Sequence, residues 1–324
     1  MIIVFLMIVT AVIISMNTGY IRLTPMELLK TIFNKGTDKQ ELILFDFRLP
    51  RIVLSILIGA GLAVSGAVMQ GIFRNALADP GILGINAGAG LMVMLLISFY
   101  PTTSAAPVYL LPMVAFVGAA FTAALIYRLS YTRYQGISPI RLLLTGVAVA
   151  AGMSAAMIVL TLRLDPEKYL FVATWLAGSI WGTSWKFVLS LLPWILILLP
   201  YVFYKARVMN ALNLGQQTAT GLGLAVKKEQ FRLLAAAVGL AAASVAVSGG
   251  IGFVGLVGPH LARRLVGPRH QLMLPTSALL GSLLVITADT LGRWILQPTE
   301  VPTGIVVAVI GAPYFLYLLA RMKS

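Results

Sequence analysis

The 324-residue chain contains no cysteine, which excludes disulfides and thiolate metal sites. Charge is almost as scarce. Only 10% of residues are Asp, Glu, Lys or Arg, where a soluble domain carries roughly a quarter, so the chain cannot clothe a water-facing surface of its own size. Two histidines and ten acids, most of them scattered through connectors, argue against a metal cluster. There is no Gly-Lys pair, hence no G-x-x-x-x-G-K loop to cradle the phosphates of ATP. What is present is apolar: 59% hydrophobic residues and a mean hydropathy of +0.95. These values identify an all-α integral membrane protein built as one polytopic domain, residues 1–324.

Apolar runs of roughly membrane-spanning length recur from end to end. Their cores fall at 2–16, 50–70, 82–99, 108–128, 139–161, 187–204, 231–248, 251–266, 272–296 and 302–320, which predicts about ten transmembrane helices. The first and eighth are short and are expected to be tilted, truncated or partly re-entrant. The first lacks a basic leader and an A-x-A site, and reads as a retained helix rather than a cleaved signal.

The formal net charge of +14 does not point to nucleic acid, because the basic residues lie in short connectors rather than on a soluble module. With both termini placed in the cytoplasm, the inner connectors carry fourteen Lys and Arg and only Asp79 and Glu229 as acids, and the outer side carries ten Lys and Arg with the other eight acids. This follows the positive-inside rule. One inner connector, 209–230 (MNALNLGQQTATGLGLAVKKEQ), is long and polar. Within it Gln216, Ala219 and Thr220 are placed on a short helix ending at Gly221 or Gly223, because glycine favours the left-handed cap. The outer segment 165–186 mixes Trp175, Trp181 and Trp185 with Gly and Ser, as suits an interfacial layer.

The stretch GGIGFVGLVGPH, 249–260, contains G-x-G-x-x-G from Gly250. A pyrophosphate site needs that run between a strand and a helix, with an acid about twenty residues on. Here it joins two membrane segments, and the next acid after Gly255 is Asp289. In a bilayer, small residues at such spacing let helices approach closely. Gly252, Gly255 and Gly258 are therefore read as a packing strip, and Pro259 as a break in the helical ladder.

Three stretches together resemble a known family. RLPRIVLSILIGAGLAVSGAVMQGIFRNALADPGILGINAGAG (48–90), GGIGFVGLVGPHLARRLVGPRHQLMLP (249–275) and ADTLGR with EVPTGIVVAVIGAPYFLYLL (288–293, 300–319) are similar, in matching order, to the FecCD-type permeases of ABC importers for ferric siderophores, haem and cobalamin. The resemblance implies about ten helices in the cytoplasmic membrane, a second permease subunit (identical or related), two cytoplasmic ATPases and an extracytoplasmic binding protein. It implies an iron chelate, a ferric siderophore first, as the translocated substrate, no catalysis by the chain itself and no cofactor bound to it. LGQQTATGLG (214–223) resembles the segment that fits a groove in the ATPase, with Leu214, Gly215, Gln216, Ala219, Leu222 and Gly223 as coupling residues. Gln216 stands where the family often has an acid, and Ala76 replaces the usual proline after Asn75.

The same resemblance makes Arg48, Arg51 and Arg293 outer anchors for carboxylates of the binding protein, a role suited to the bidentate guanidinium fork; the alternative is snorkelling to the interface. Asp289, the one acid inside an apolar run, is expected to pair with Arg293 one helical turn on. His260 is read as a hydrogen-bonding residue at a helix end. An ion-coupled secondary transporter is the rival class. The echo of LAVSG (62–66) in VAVSG (245–249) fits an inverted repeat of either class, but such a carrier needs more intramembrane acids than Asp289.

Overall fold

In a computed structural model of the chain, the described residues are 1–19, 24–33, 36–99, 110–132, 136–137, 139–180, 182–296 and 299–322; Trp181 lies outside them. In chain order the helices are α1 (Ile2–Asn17), α2 (Pro25–Ile32), α3 (Asp38–Glu41), α4 (Leu49–Phe73), α5 (Ile85–Phe99), α6 (Leu110–Ser130), α7 (Pro139–Thr161), α8 (Pro166–Leu176), α9 (Trp185–Tyr204), α10 (Ala206–Asn213), α11 (Gln216–Gly221), α12 (Val226–Ser248), α13 (Val254–Val266), α14 (His270–Ile295) and α15 (Thr303–Met322). A π-helical turn, Leu42–Arg48, joins α3 to α4. Pro50 has no N–H to give the α ladder, and the residues before it take the wider winding. The strands found among the described residues are the two-residue pair Tyr131–Thr132 and Gly136–Ile137, antiparallel.

Each of the ten predicted cores falls on one of these helices. Among the described residues, six helical stretches are long and apolar enough to cross a bilayer: Asp38–Phe73 and the helices α6, α7 from Ile140, α9, α12 and α14. α1, α5 and the Thr303–Tyr317 part of α15 are apolar but shorter. The 13 residues of α13 reach only about 20 Å, against a hydrocarbon layer of about 30 Å.

Small residues decide which helices form the centre. α4 and α12 are buried along most of their length, whereas α7 is largely exposed. α4 and α14 touch backbone to backbone, because a Cβ on Gly59 would overlap the Gly281 carbonyl and one on Gly281 the Gly59 carbonyl. Ser282 Oγ donates to the Ile56 carbonyl across the same seam, at 2.8 Å. Gly66 meets the backbone of Gly255 in the same way and brings α13 onto α4. Without a hydrophobic drive between helices in lipid, this close approach and the hydrogen bonds it permits hold the bundle together.

Two connectors depart from the sequence reading. The stretch after α4 does not stay in a surface loop: Asp79, with Pro80 of the short 3₁₀ turn Pro80–Leu83, folds back beside Leu62, Val245 and Gly255, lining a small cavity there. Asp79 is thus at the depth of mid-α4 rather than in an inner connector. The segment before α13 is irregular through Phe253, which holds a left-handed φ of 65°, uncommon for a bulky residue. Its ring lies against Phe315 of α15.

Candidate functional site

Polar groups gather at the two opposite ends of the α4–α14 pair. At the first end, Asp289 (1% exposed) is gripped from two sides. Arg51 Nη2 lies 2.8 Å and Arg293 Nε 3.2 Å from its carboxylate, and Thr303 Oγ1 donates to it at 3.2 Å. Arg51 reaches on to Glu300, 2.7 Å away. Arg293 also donates to the Thr18 carbonyl at 3.0 Å and to Ser15 Oγ, and Arg48 donates to the Met16 carbonyl. The carbonyls at the end of α1 carry the negative pole of the helix dipole, so two guanidiniums bind that helix end to α4 and α14.

The three arginines read as outer anchors are placed differently from one another. Arg48 and Arg293 are each only 6% exposed and turn inward to α1 and Asp289, so neither guanidinium is presented to a partner in this conformation. Arg51 is different. With Glu300, Thr174 and Ser179 it lines an open cleft of about 310 Å³. The expected Asp289–Arg293 pair at i, i+4 is present; what sequence reasoning missed is Arg51, 238 positions away, on the same carboxylate. Arg22, in the outer connector that follows the first apolar run, lies outside the described residues.

The second end carries the long polar connector. α10 leaves α9 at Lys205, whose Nζ is 2.8 Å from Glu229 of α12; Arg232 pairs with the same carboxylate at 3.2 Å. Its hydrogen bond to the Glu229 carboxylate holds the Lys205 ammonium above its ordinary pKa. The helix expected in this connector is α11, which ends at Gly221, and Gly223 follows in the left-handed region. Gly215, at φ 117°, makes the turn between α10 and α11. Leu214 and Leu222, both 63% exposed, flank α11. Gln216 opens it, exposed, and nothing lies near Gly223. Ala219, read with them as a coupling residue, is fully buried and packs the connector together.

The glycine segment also divides. A Cβ on Gly255 would meet Pro80 and Asp79 at 3.0 and 3.1 Å, and one on Gly258 would meet Ala63 at 2.9 Å. Gly252 has open space where a Cβ would sit. It precedes α13 and takes no part in a packing strip. Pro259 is buried inside α13. His260, mid-helix rather than at an end, lies 2.6 Å from Tyr314 Oη of α15. Among the described residues no three of His, Cys, Asp or Glu gather as a metal site would need.

With this geometry in hand, comparison with known proteins is informative. Residues 6–321 match the FecCD transport family. The chain is 50% identical to the iron(3+)-hydroxamate import system permease protein FhuG of Bacillus subtilis (strain 168), over 98% of this chain and 95% of that one. It is 42% identical to the iron-uptake system permease protein FeuC of the same organism, over 96% and 94%. A solved metal-chelate type ABC transporter in an inward-facing conformation superposes with a TM-score of 0.87 at 31% identity, covering 99% of this chain and 98% of the other.

Proposed function

The chain belongs to the FecCD transport family, and from that premise we propose that it is the permease subunit of an ABC importer that passes a ferric siderophore across the cytoplasmic membrane. The observation that carries this reading is the half-identity to a ferric hydroxamate permease along nearly the whole of both chains. The relatives named above are iron-import permeases, one of them for a ferric hydroxamate, so hydroxamates come first among the chelates to test. The ion-coupled rival loses its main carrier group, since Asp289 is tied to two arginines and is poorly placed to load and release a proton.

The partners follow from the two polar ends. The exposed turn Leu214–Gly223 on the α10–α11 side fits the groove of a cytoplasmic ATPase, with Leu214, Gln216 and Leu222 as its projecting groups. The Arg51–Glu300 cleft faces outward and takes a carboxylate of an extracytoplasmic binding protein. ATP hydrolysis then falls to the partner. On this reading both termini lie in the cytoplasm with ten crossings between them, and a second permease subunit completes the pathway.

The test is uptake of ferric hydroxamate by proteoliposomes holding the permease, its ATPase and its binding protein. Uptake should require ATP and survive collapse of ion gradients; uptake driven by a gradient without ATP would reject the reading. Gly223→Glu, which places a charge on the projecting turn, should abolish uptake while the protein still inserts.

A further inference from the structure

α10, the arm that carries α11, is tied to α12 at its start by Lys205 and Glu229 and to the start of α14 by a polar joint at Asn210. Asn210 Oδ1 accepts the backbone N–H of His270 at 3.0 Å and lies 2.8 Å from His270 Nδ1. Asn210 Nδ2 donates to Gln271 Oε1 at 2.7 Å. With the amide oxygen as acceptor, Nδ1 carries the imidazole proton. The first N–H groups of a helix have no partner within it, so a residue 60 positions away supplies an acceptor for the start of α14. His270 is fully buried, and its ring sits against Gly71 of α4, where a Cβ would come within 3.1 Å of Nε2 and 2.8 Å of Met209 Cε of α10. The arm, the start of α14 and the end of α4 therefore meet at one point.

From this joint α14 runs for 26 residues, about 39 Å. It is locked to α4 at Gly59–Gly281 and ends at the Asp289–Arg293 pair beside the Arg51 cleft. We propose that Asn210 is a positioning residue for energy coupling: it ties the α10–α11 arm to the α4–α14 pair, so that displacement of the arm by the ATPase moves that pair as a unit and reshapes the cleft at its far end. The proposal rests on the reading of Leu214–Gly223 as the ATPase contact. Close-packed helices shift between discrete arrangements rather than deform smoothly, so a stiff joint is required to pass on a small movement.

The experiment uses the full complex with its ATPase in nanodiscs, with spin labels at Thr174 and Thr299 across the cleft. In the parent protein ATP should shift the label distance. Asn210→Leu, of similar size but without the joint, should assemble with the ATPase and hydrolyse ATP, while the fraction of molecules showing the shift falls at least about tenfold, since the two His270 donors lose their acceptor and even one such loss corresponds to about that factor. Asn210→Asp keeps the acceptor for His270, and rotation of the Gln271 amide restores the third bond, so the shift should return. Asn210→Ser, small and polar but too short to bridge, guards against failure of the leucine variant to fold and should also lose the shift. A parent-like shift in either Asn210→Leu or Asn210→Ser overturns the proposal, as does failure of Asn210→Asp to restore it. Gly223→Glu separates the two readings. If it leaves the shift intact, the ATPase contact itself is misplaced and this inference falls with it; if it abolishes the shift while Asn210→Leu keeps it, only the joint is wrong.

Discussion

At the Arg51 end of the α4–α14 pair Arg48, Arg293 and Asp289 are buried, Asp289 almost sealed from solvent, while Arg51 and the exposed Glu300 carry the ion pairs out to the cleft. At the α10 end Glu229 is buried but shares its carboxylate between Lys205 and a half-exposed Arg232, through which the group meets water, and buried His270 is held by the half-buried amide of Asn210. The two ends teach different lessons about what a polar contact is worth. A buried ion pair returns little over a hydrophobic replacement, yet breaking one side of it is severe, because the charge left behind has lost its water as well as its partner. A wet pair gains and loses little.

The sharpest way to break that comparison is Asp289→Ala. It leaves Arg51 and Arg293 facing each other without the shared carboxylate, and should destabilise the protein by about 3–5 kcal/mol, read as a lowered unfolding midpoint in detergent. The double variant Arg51→Met, Asp289→Leu should recover part of that loss. A single-variant effect as small as that of a surface pair would show that water reaches the site.

Next in size is the seam between the two ends. Gly281→Leu must push the α14 backbone off Gly59 and should cost about 1–3 kcal/mol, with loss of transport. Gly252→Ala, where a Cβ meets nothing, should change stability by no more than about 0.5 kcal/mol. Equal effects at the two glycines would mean that helix contact does not govern the seam.

The smallest effect belongs to the wet end. Lys205→Met should lower stability by about 0–1 kcal/mol. Because the hydrogen bond to Glu229 raises the Lys205 pKa, the lysine's contribution is fully present below its ordinary pKa of about 10.4 and fades only as pH rises through the higher folded value. Stability of the parent and of Lys205→Met should therefore run parallel from pH 7 to about 9; divergence within that window would place the lysine in a drier setting.

Much of the fold was legible because lipid leaves the backbone few choices. A run of about twenty apolar residues must be helical, and all ten predicted cores lie on helices. The short α11 with its Gly223 exit was legible for a local reason, the left-handed φ that glycine accepts. The Asp289–Arg293 pair was legible from helical spacing alone. The failures share one cause. Arg48, Arg51 and Arg293 look alike in sequence, as basic residues beside apolar runs, yet two of them turn inward because α1 ends within their reach. Asp79 looks like a connector residue until the chain folds back to Gly255. Gly252 shares a spacing with Gly255 and Gly258 but lies before the helix begins.

By itself the sequence determined the solvent, the helical class, the family resemblance and the place of the long polar connector, since each follows from composition or from residues near one another in the chain. Only the tertiary structure decided which arginine remains at a cleft, which glycines touch a neighbour, and that Asn210 supplies the start of α14 with its acceptor. Those depend on contacts between residues 32 to 278 positions apart, and no local periodicity carries the register of one helix against another.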